Sequence, residues 1–292
     1  MTATDVGAGG LRQGRRKPRY IPAAPSAAPM ASPAQNFTRR VYHGDGAPLP
    51  TGLTLIAYAF AIATLFAVAM MIGPGRLEGA LAEVLGLGVL PLVIARLHRV
   101  PFAQLGLVAP RPLAVVGAVI AGAGLWLIAL AAATPIVQAT HRHEAVHELT
   151  TTLFGGQPNL ALLVLTLVVV PAVCEELTHR GLLLGGLAPG LGRALAIAIS
   201  TGLFAILHVE PARMVSTAIL GVAAGLCALW SGSLWPAIAL HATNNLVVMV
   251  VGVGLAPRLS ALIDREATWS LPLAGALAVL GLMWVWRSGP RA

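Results

Sequence analysis

Long runs without a charged side chain are the feature of this sequence that most restricts its fold. Leu53–Gly73 is 21 residues long and Leu113–Val137 is 25 residues long, and neither run contains Asp, Glu, Lys or Arg. A helix needs about 20 apolar residues to cross the hydrocarbon core of a bilayer. Charged residues make up only 10% of the chain, against about 25% in an ordinary soluble domain. The sequence therefore predicts a polytopic membrane protein.

Eight apolar segments follow an N-terminal tail and predict an all-α transmembrane bundle of about eight helices over residues 51–292. The second segment is the least regular, because it carries Glu78 and Glu83. Small residues one turn apart in the third segment, such as Gly117 and Ala121, allow neighbouring helices to pack closely. The segments cover residues 53–73, 77–97, 113–137, 158–187, 193–209, 213–231, 234–256 and 270–287.

The N-terminal tail, residues 1–50, carries much of the positive charge. It holds seven Lys or Arg and two Asp, a net charge of +5, and it has no apolar period. We expect a disordered, cytoplasmic tail that is attracted to anionic lipid headgroups. Because the excess charge is concentrated there, the high isoelectric point does not indicate a nucleic-acid partner.

The distribution of arginine predicts the orientation of the bundle, since short cytoplasmic loops are rich in Lys and Arg. If the chain crosses the membrane eight times, one side of the membrane holds the tail, the C-terminus and two connections. These connections carry Arg96, Arg99, Arg111 and Arg193. We expect this side, with both termini, to be cytoplasmic. Abundant Ala, Gly and Arg with a single Lys are typical of a bacterial protein, so the expected location is the bacterial cytoplasmic membrane.

Strongly polar side chains cluster inside three of the apolar segments. An ionisable residue in a span costs about 2.5–3.5 kcal/mol on insertion scales and is a functional candidate by default. Hydrogen bonding between helices explains a single His or Asn, but it does not explain a set of this size. The set comprises Glu175, Glu176 and Arg180 in the fourth segment, His208 in the fifth, and His241 and Asn245 in the seventh.

Helical spacing suggests how these residues are arranged. Glu176 and Arg180 are four residues apart with the glutamate first, which is the order that favours an ion pair. Glu175 points about 100° away from Glu176 around the helix. It has no cation nearby in the sequence, a setting that suits a general base. His241 and Asn245 share one helical face, so both side chains can contact the same atom or small group.

Three motifs in this order, Glu-Glu-x-x-x-Arg, Phe-x-x-x-His and His-x-x-x-Asn, resemble the CPBP family. This family comprises CAAX prenyl endopeptidases and bacteriocin-processing enzymes of the membrane. The second motif here is Phe204 to His208, and the protease-like core covers about residues 155–250. One residue departs from the pattern, because His179 stands where the family commonly has an aromatic residue. His179 could hydrogen-bond to the Glu175 carboxylate, or it could face lipid or headgroups.

The resemblance implies an intramembrane endopeptidase whose substrate is a membrane-associated peptide or protein. Carried over to this sequence, Glu175 and His208 would activate a water for attack on the scissile carbonyl. His241 and Asn245 would stabilise the oxyanion, and the ion pair of the first motif would hold the helix and its local field. A lipidated, a transmembrane and a leader peptide are equally open as substrates, whereas a prenylated one is not expected in a bacterium.

The cofactor is left open by the sequence. Glu175, His208 and His241 could form a zinc site with an open position, but Asn245 fits an oxyanion donor better than a metal ligand. We therefore favour a glutamate-activated water without an obligatory metal. Two other functions compete: a non-catalytic immunity or partner-binding protein of the same fold, and a transporter or proton relay, which also uses intramembrane Glu and His.

One geometric difficulty concerns the depth of the two histidines. At 1.5 Å per residue, His208 lies about 20 Å from Arg193, whereas His241 lies about 10 Å from Trp235. Both helices should start from the cytoplasmic face. Either residues 231–236 dip into the membrane or the fifth helix is strongly tilted.

The charge argument makes a topology prediction. A reporter that is active only outside the cytoplasm should be silent when it is fused after Ala292, because the C-terminus is expected inside. The same reporter should be active when it is inserted near Gln157. The opposite pattern would invert the predicted orientation.

Overall fold

The computed structural model describes residues 49–154, 159–257, 261 and 267–289. The predicted tail, except for its last two residues, lies outside the described residues. The described part is helical, without a strand. A short 3-10 helix, Phe102–Leu105, lies in the connection between the second and third of the helices given below. The helices are α1 (Thr51–Ile72), α2 (Arg76–Leu97), α3 (Pro112–Thr140), α4 (His143–Phe154), α5 (Leu160–Leu191), α6 (Arg193–Ile206), α7 (Pro211–Ser231), α8 (Trp235–Gly252) and α9 (Ala267–Ser288).

The bundle predicted from the apolar segments is confirmed. By length and composition, seven helices of the described chain can cross a membrane: all except α4 and α6. Large apolar side chains cover their outer faces; Phe60, Met70 and Met71 are 58%, 85% and 84% exposed. Water does not tolerate such a surface in a soluble monomer, whereas lipid does. The chain is therefore a multi-pass membrane protein.

α3 is the central helix, and it packs against α7, α8 and α9. Glycines make the close approach possible. A Cβ on Gly117 would meet the backbone of Gly281 in α9, and a Cβ on Gly122 would meet the carbonyl oxygen of Leu240 in α8. The close helix packing predicted from the small residues of the third segment is therefore confirmed.

α5 is unusually long and α6 is unusually short. The 32 residues of α5 extend about 48 Å, and Gly192, with a φ of 80°, reverses the chain directly into α6. α6 has 14 residues and ends before His208. Its full length is about 21 Å, which is less than the thickness of a bilayer core.

The two residues that precede α8 are enclosed by protein. Ser233 and Leu234 are buried. The Leu234 amide donates to the Gly106 carbonyl at 2.8 Å, and the Ser233 hydroxyl donates to the Val108 carbonyl at 2.8 Å. These two bonds anchor the residues before α8 to the connection between α2 and α3, while Trp235, the first residue of α8, is 45% exposed.

α4 is attached to the neighbouring helices by two polar contacts. The Arg76 guanidinium at the start of α2 donates to the Thr152 carbonyl at 3.1 Å. Arg142, just before α4, pairs with Glu210 at 3.7 Å. Glu210 also caps α7, since its carboxylate accepts from the Arg213 amide at 2.8 Å. The helix therefore lies close to the turn that carries His208.

Candidate active site

The first motif lies where α5 changes its backbone pattern. Val170–Glu176 is α-helical, and a π-helical segment, Leu177–Leu184, follows directly. Segments of π-helix are rare in proteins overall, and those that occur are often located at functional sites. This segment is completely buried, and it carries Arg180 into the centre of the protein.

A buried ionic cluster joins α5 to α8. One oxygen of Glu176, Oε1, accepts from Nη1 of Arg180 at 2.9 Å and from Nδ1 of His241 at 2.9 Å. The three side chains are at most 3% exposed. The ion pair expected from the spacing is confirmed, and the structure adds the histidine as a third member.

Arg180 makes two further contacts that hold its guanidinium in place. Nη2 donates to the Gly221 carbonyl of α7 at 3.0 Å, and the guanidinium carbon lies 4.5 Å from the centre of the Phe204 ring. Residue 221 must be small, because a Cβ there would lie 3.1 Å from Nη2 and 3.3 Å from Phe204. The arginine therefore ties α5, α6 and α7 together.

Glu175 faces the same imidazole from the other side. Its Oε2 lies 3.7 Å from Nε2 of His241, and its side chain is 14% exposed. Because adjacent residues point about 100° apart on a helix, the two glutamates straddle the ring and each meets one nitrogen. Glu175 thus has a partner on α8 although it has none nearby in the sequence.

Phe204 is the centre of a group of ring contacts that brings in His208. Its ring is 5.3 Å from that of His208 and 5.9 Å from that of His241, both edge-on. Nδ1 of His208 donates to the Phe204 carbonyl at 3.1 Å. Since a carbonyl only accepts, Nδ1 carries the proton, and Nε2 of the neutral ring keeps its lone pair.

His208 sits in a tight turn between α6 and α7. The next residue, Val209, has a φ of 56°, which is rare for a β-branched side chain. Strained backbone of this kind is often found at functional sites. The turn places His208 beside Phe204 and leaves α7 to start at Pro211.

Asn245 is directed elsewhere in the structure. Its Nδ2 donates to the Leu167 carbonyl of α5 at 3.1 Å, and its Oδ1 accepts from Asn244 at 3.3 Å. Both contacts are outside the cluster around Glu176. The structure therefore brings together five of the six predicted residues and places Asn245 one turn away on α8.

The two roles considered for His179 are both wrong. The residue is completely buried, so it does not face lipid. Its Nδ1 donates to the backbone carbonyl of Glu175 at 2.8 Å, not to the carboxylate. Its ring packs against Phe204 with the centres 4.8 Å apart.

Two charged residues near Glu175 were missed at the sequence level. Glu83 of α2 and Arg213 of α7 both interact electrostatically with its carboxylate. Oε2 of Glu83 is buried without a hydrogen-bond partner among the described residues. In the sequence, Glu83 only makes the second apolar segment irregular. It lies more than 90 positions from Glu175, and no spacing pattern links two residues so far apart.

The sequence also contains a zinc-binding motif, so an interpretation without one is wrong. Residues 143–147 are His-Glu-Ala-Val-His, the His-Glu-x-x-His pattern that binds zinc in many metalloproteases, and they begin the exposed helix α4. Within the described part of the chain, no three or more His, Cys, Asp or Glu side chains are grouped to hold a metal. This applies to α4 and equally to the set Glu175, His208 and His241.

Comparison with known proteins agrees with the motifs. The family model of the Rce1-like type II CAAX prenyl endopeptidases matches residues 157–247, which is under half of the chain. The searches of curated proteins and of solved structures gave no significant match. The family match confirms the resemblance stated from the three motifs, and it supports a membrane endopeptidase in general.

The ionic cluster makes a prediction about Arg180. Arg180→Ala should lower both thermal stability in detergent and activity, because an uncompensated buried charge costs about 3–5 kcal/mol. The double variant Glu176→Gln/Arg180→Met should regain part of the stability but not the activity. Arg96→Ala, an exposed position, is the matched control and should be neutral. Additive stability losses in the double-mutant cycle would show that the pair does not interact.

Proposed function

We propose that this protein is an intramembrane endopeptidase that hydrolyses a peptide bond of a membrane-associated substrate with a water activated by Glu175 and His208. The observation that carries the proposal is the position of His241 between two glutamates, 2.9 Å from Glu176 and 3.7 Å from Glu175. A purely structural ion pair needs one carboxylate and one cation. A second carboxylate with a free oxygen beside the same imidazole supports acid–base chemistry.

The first step is attack by water. Glu175 accepts one proton of the water while the water oxygen bonds to the scissile carbonyl carbon, and Nε2 of His208 accepts the other O–H as a hydrogen bond. Glu175 then gives its proton to the leaving nitrogen as the C–N bond breaks. The products are a carboxylic acid and an amine, so atoms and protons balance.

The oxyanion of the tetrahedral intermediate needs donors. Glu176 accepts the Nδ1–H of His241 as a hydrogen bond, so the ring can also donate through Nε2 only when both of its nitrogens carry a proton. The two neighbouring carboxylates supply the negative charge that such a ring requires. Asn245 has two N–H groups and one of them donates to Leu167, so a role at the oxyanion requires this side chain to rotate when substrate binds.

Zinc is not required by this scheme. Glu176 fixes Nδ1 of His241 in the manner of a carboxylate behind a metal-bound histidine. Nevertheless, Glu175, His208 and His241 are not grouped as a ligand set in the described chain. The donors therefore do not fit a three-ligand site, and no step above passes through a metal.

The remaining features belong to the same proposal. The substrate is a membrane-associated peptide or protein, of lipidated, transmembrane or leader type. The enzyme lies in a bacterial cytoplasmic membrane with both termini inside, an arrangement that requires the short helix α6 to act as the eighth crossing in addition to the seven long apolar helices of the described chain. Its basic tail contacts anionic lipid and does not bind nucleic acid.

The competing functions differ in a direct assay. A non-catalytic immunity or partner-binding protein would leave a tagged membrane peptide intact, and so would a transporter. Cleavage by the purified protein in detergent or liposomes, with the product sequenced at the cut, would exclude both.

Glu175→Gln is the sharpest test of the mechanism. The substitution keeps the volume but removes the basic carboxylate, so proteolysis should fall by about 10²–10⁴-fold, the usual contribution of a general base. Expression and melting temperature should stay near those of the wild type, because the hydrogen-bonded cluster around Glu176 remains. Glu148→Gln on exposed α4 is the control and should be fully active. Full activity of Glu175→Gln would contradict the assignment.

Metal dependence requires a control for α4. His143 and His147 are one turn apart on an exposed helix and could bind zinc adventitiously, which would confuse a metal analysis of the wild-type chain. We therefore expect the variant His143→Ala/His147→Ala to contain no stoichiometric zinc and to keep its activity in chelator. The metal-free scheme is wrong if this variant holds about one zinc per chain, loses it together with activity on chelation, and regains both with zinc.

A further inference from the structure

We propose that Tyr58 and His179 are positioning residues that orient the catalytic histidines through Phe204. The inference rests on the proposed function. Tyr58 belongs to α1, which lies outside the matched region and carries no motif. His179 stands between the motif glutamates and the motif arginine.

The two side chains form a hydrogen-bonded pair with a defined proton arrangement. Nδ1 of His179 faces the Glu175 carbonyl at 2.8 Å and must carry a proton, because a carbonyl only accepts. In the neutral ring, Nε2 is then an acceptor. The Tyr58 hydroxyl lies 3.3 Å from it and donates to it. Both nitrogens are thus satisfied, and the ring cannot turn without losing both bonds.

The backbone around His179 is held as well. The Ser200 hydroxyl of α6 donates to the His179 carbonyl at 2.7 Å. The Leu203 carbonyl of the same helix, 3.5 Å from the Tyr58 hydroxyl, is a second and more distant acceptor for the single hydroxyl proton. α1, α5 and α6 therefore meet at this pair, and α6 is the helix that carries Phe204.

Contacts between rings connect the pair to the site. The centres of the Tyr58 and His179 rings are 5.5 Å apart, and those of His179 and Phe204 are 4.8 Å apart. On its other sides Phe204 meets His208, His241 and the Arg180 guanidinium. A ring that is packed on all sides transmits a small rotation of one neighbour to the others, so fixing His179 fixes the two catalytic histidines.

Tyr58→Phe tests this most cleanly, because it removes one hydroxyl and keeps the ring. We expect kcat to fall about tenfold with KM within twofold, since a misoriented catalytic group affects the transition state more than substrate binding. Thr54→Val is the matched control: its buried hydroxyl on the same helix donates to the Leu49 carbonyl, and its loss should leave kcat and KM unchanged.

A second background tests whether the effect runs through His179. His179→Phe keeps a ring against Phe204 but cannot bond to Tyr58, so adding Tyr58→Phe should cause no further loss of kcat. His179→Ala should lose more activity than His179→Phe. An equal fold loss for Tyr58→Phe in the wild-type and His179→Phe backgrounds would overturn the proposal, as would wild-type kcat in Tyr58→Phe alone.

A measurement independent of activity separates this inference from the proposed function. In ¹⁵N-histidine NMR of the detergent-solubilised chain, Tyr58→Phe should shift Nε2 of His179 and the ring nitrogens of His208 and His241, whereas Thr54→Val should shift none of them. Unchanged His208 and His241 signals would refute the positioning role even in an active enzyme. If Glu175→Gln keeps full activity, the proposed function fails, and the NMR result still decides whether the pair orients the histidines.

Discussion

The site depends on one oxygen atom, Oε1 of Glu176, which accepts from both Arg180 and His241. In a buried setting each of these groups is costly alone, and together they compensate one another. The arrangement also fixes the chemistry. Because Glu176 occupies Nδ1 of His241, the reactive side of that ring is Nε2, and Nε2 faces Glu175 at 3.7 Å. In the proposed mechanism Glu176 therefore orients His241, while the neighbouring glutamate, 14% exposed, is left for the substrate.

Irregular helix geometry supplies two of the bonds between helices. A π turn shifts the backbone pattern from i,i+4 to i,i+5 and makes a carbonyl available to a side chain. The described chain has π segments at Val84–Val89 in α2 and at Val164–Val169 and Leu177–Leu184 in α5. In the first, Leu87 accepts from Thr178 of α5 at 2.6 Å, and in the second, Leu167 accepts from Asn245 of α8. Just before the third, the Glu175 carbonyl accepts from His179 within α5 itself. Regular helices in lipid satisfy their backbone internally, so these interruptions allow neutral side chains to join helices without an additional buried charge.

The sequence predicted what is local and missed what depends on packing. Apolar run lengths gave the bundle, and four-residue spacing gave the Glu176–Arg180 pair. The meeting of His241 with both glutamates depends on how α8 is rotated against α5, which no spacing within one helix specifies. The same limit hid Glu83 and Tyr58, which are far from the motifs in the chain.

The prediction for His179 was wrong for a different reason. Four-residue spacing placed this residue near Glu175, but it did not indicate a bond to the backbone carbonyl that the following π segment makes available. The His-Glu-x-x-His motif was visible in the sequence and was simply overlooked.

Phe204 explains why an aromatic residue stands among so many charged and polar groups. Its ring lies against the Arg180 guanidinium and the rings of His208 and His241, and it is 1% exposed. An apolar ring there keeps water away from the Arg180 guanidinium, which it also contacts through its face, and so strengthens the ion pair by lowering the local dielectric. It holds the histidines by their edges without competing for their nitrogens. A polar residue of similar size would offer a competing hydrogen bond to the nitrogens of His208 or His241. The aromatic ring thus preserves the hydrogen bonds of Nδ1 in both rings, on which the proposed mechanism depends.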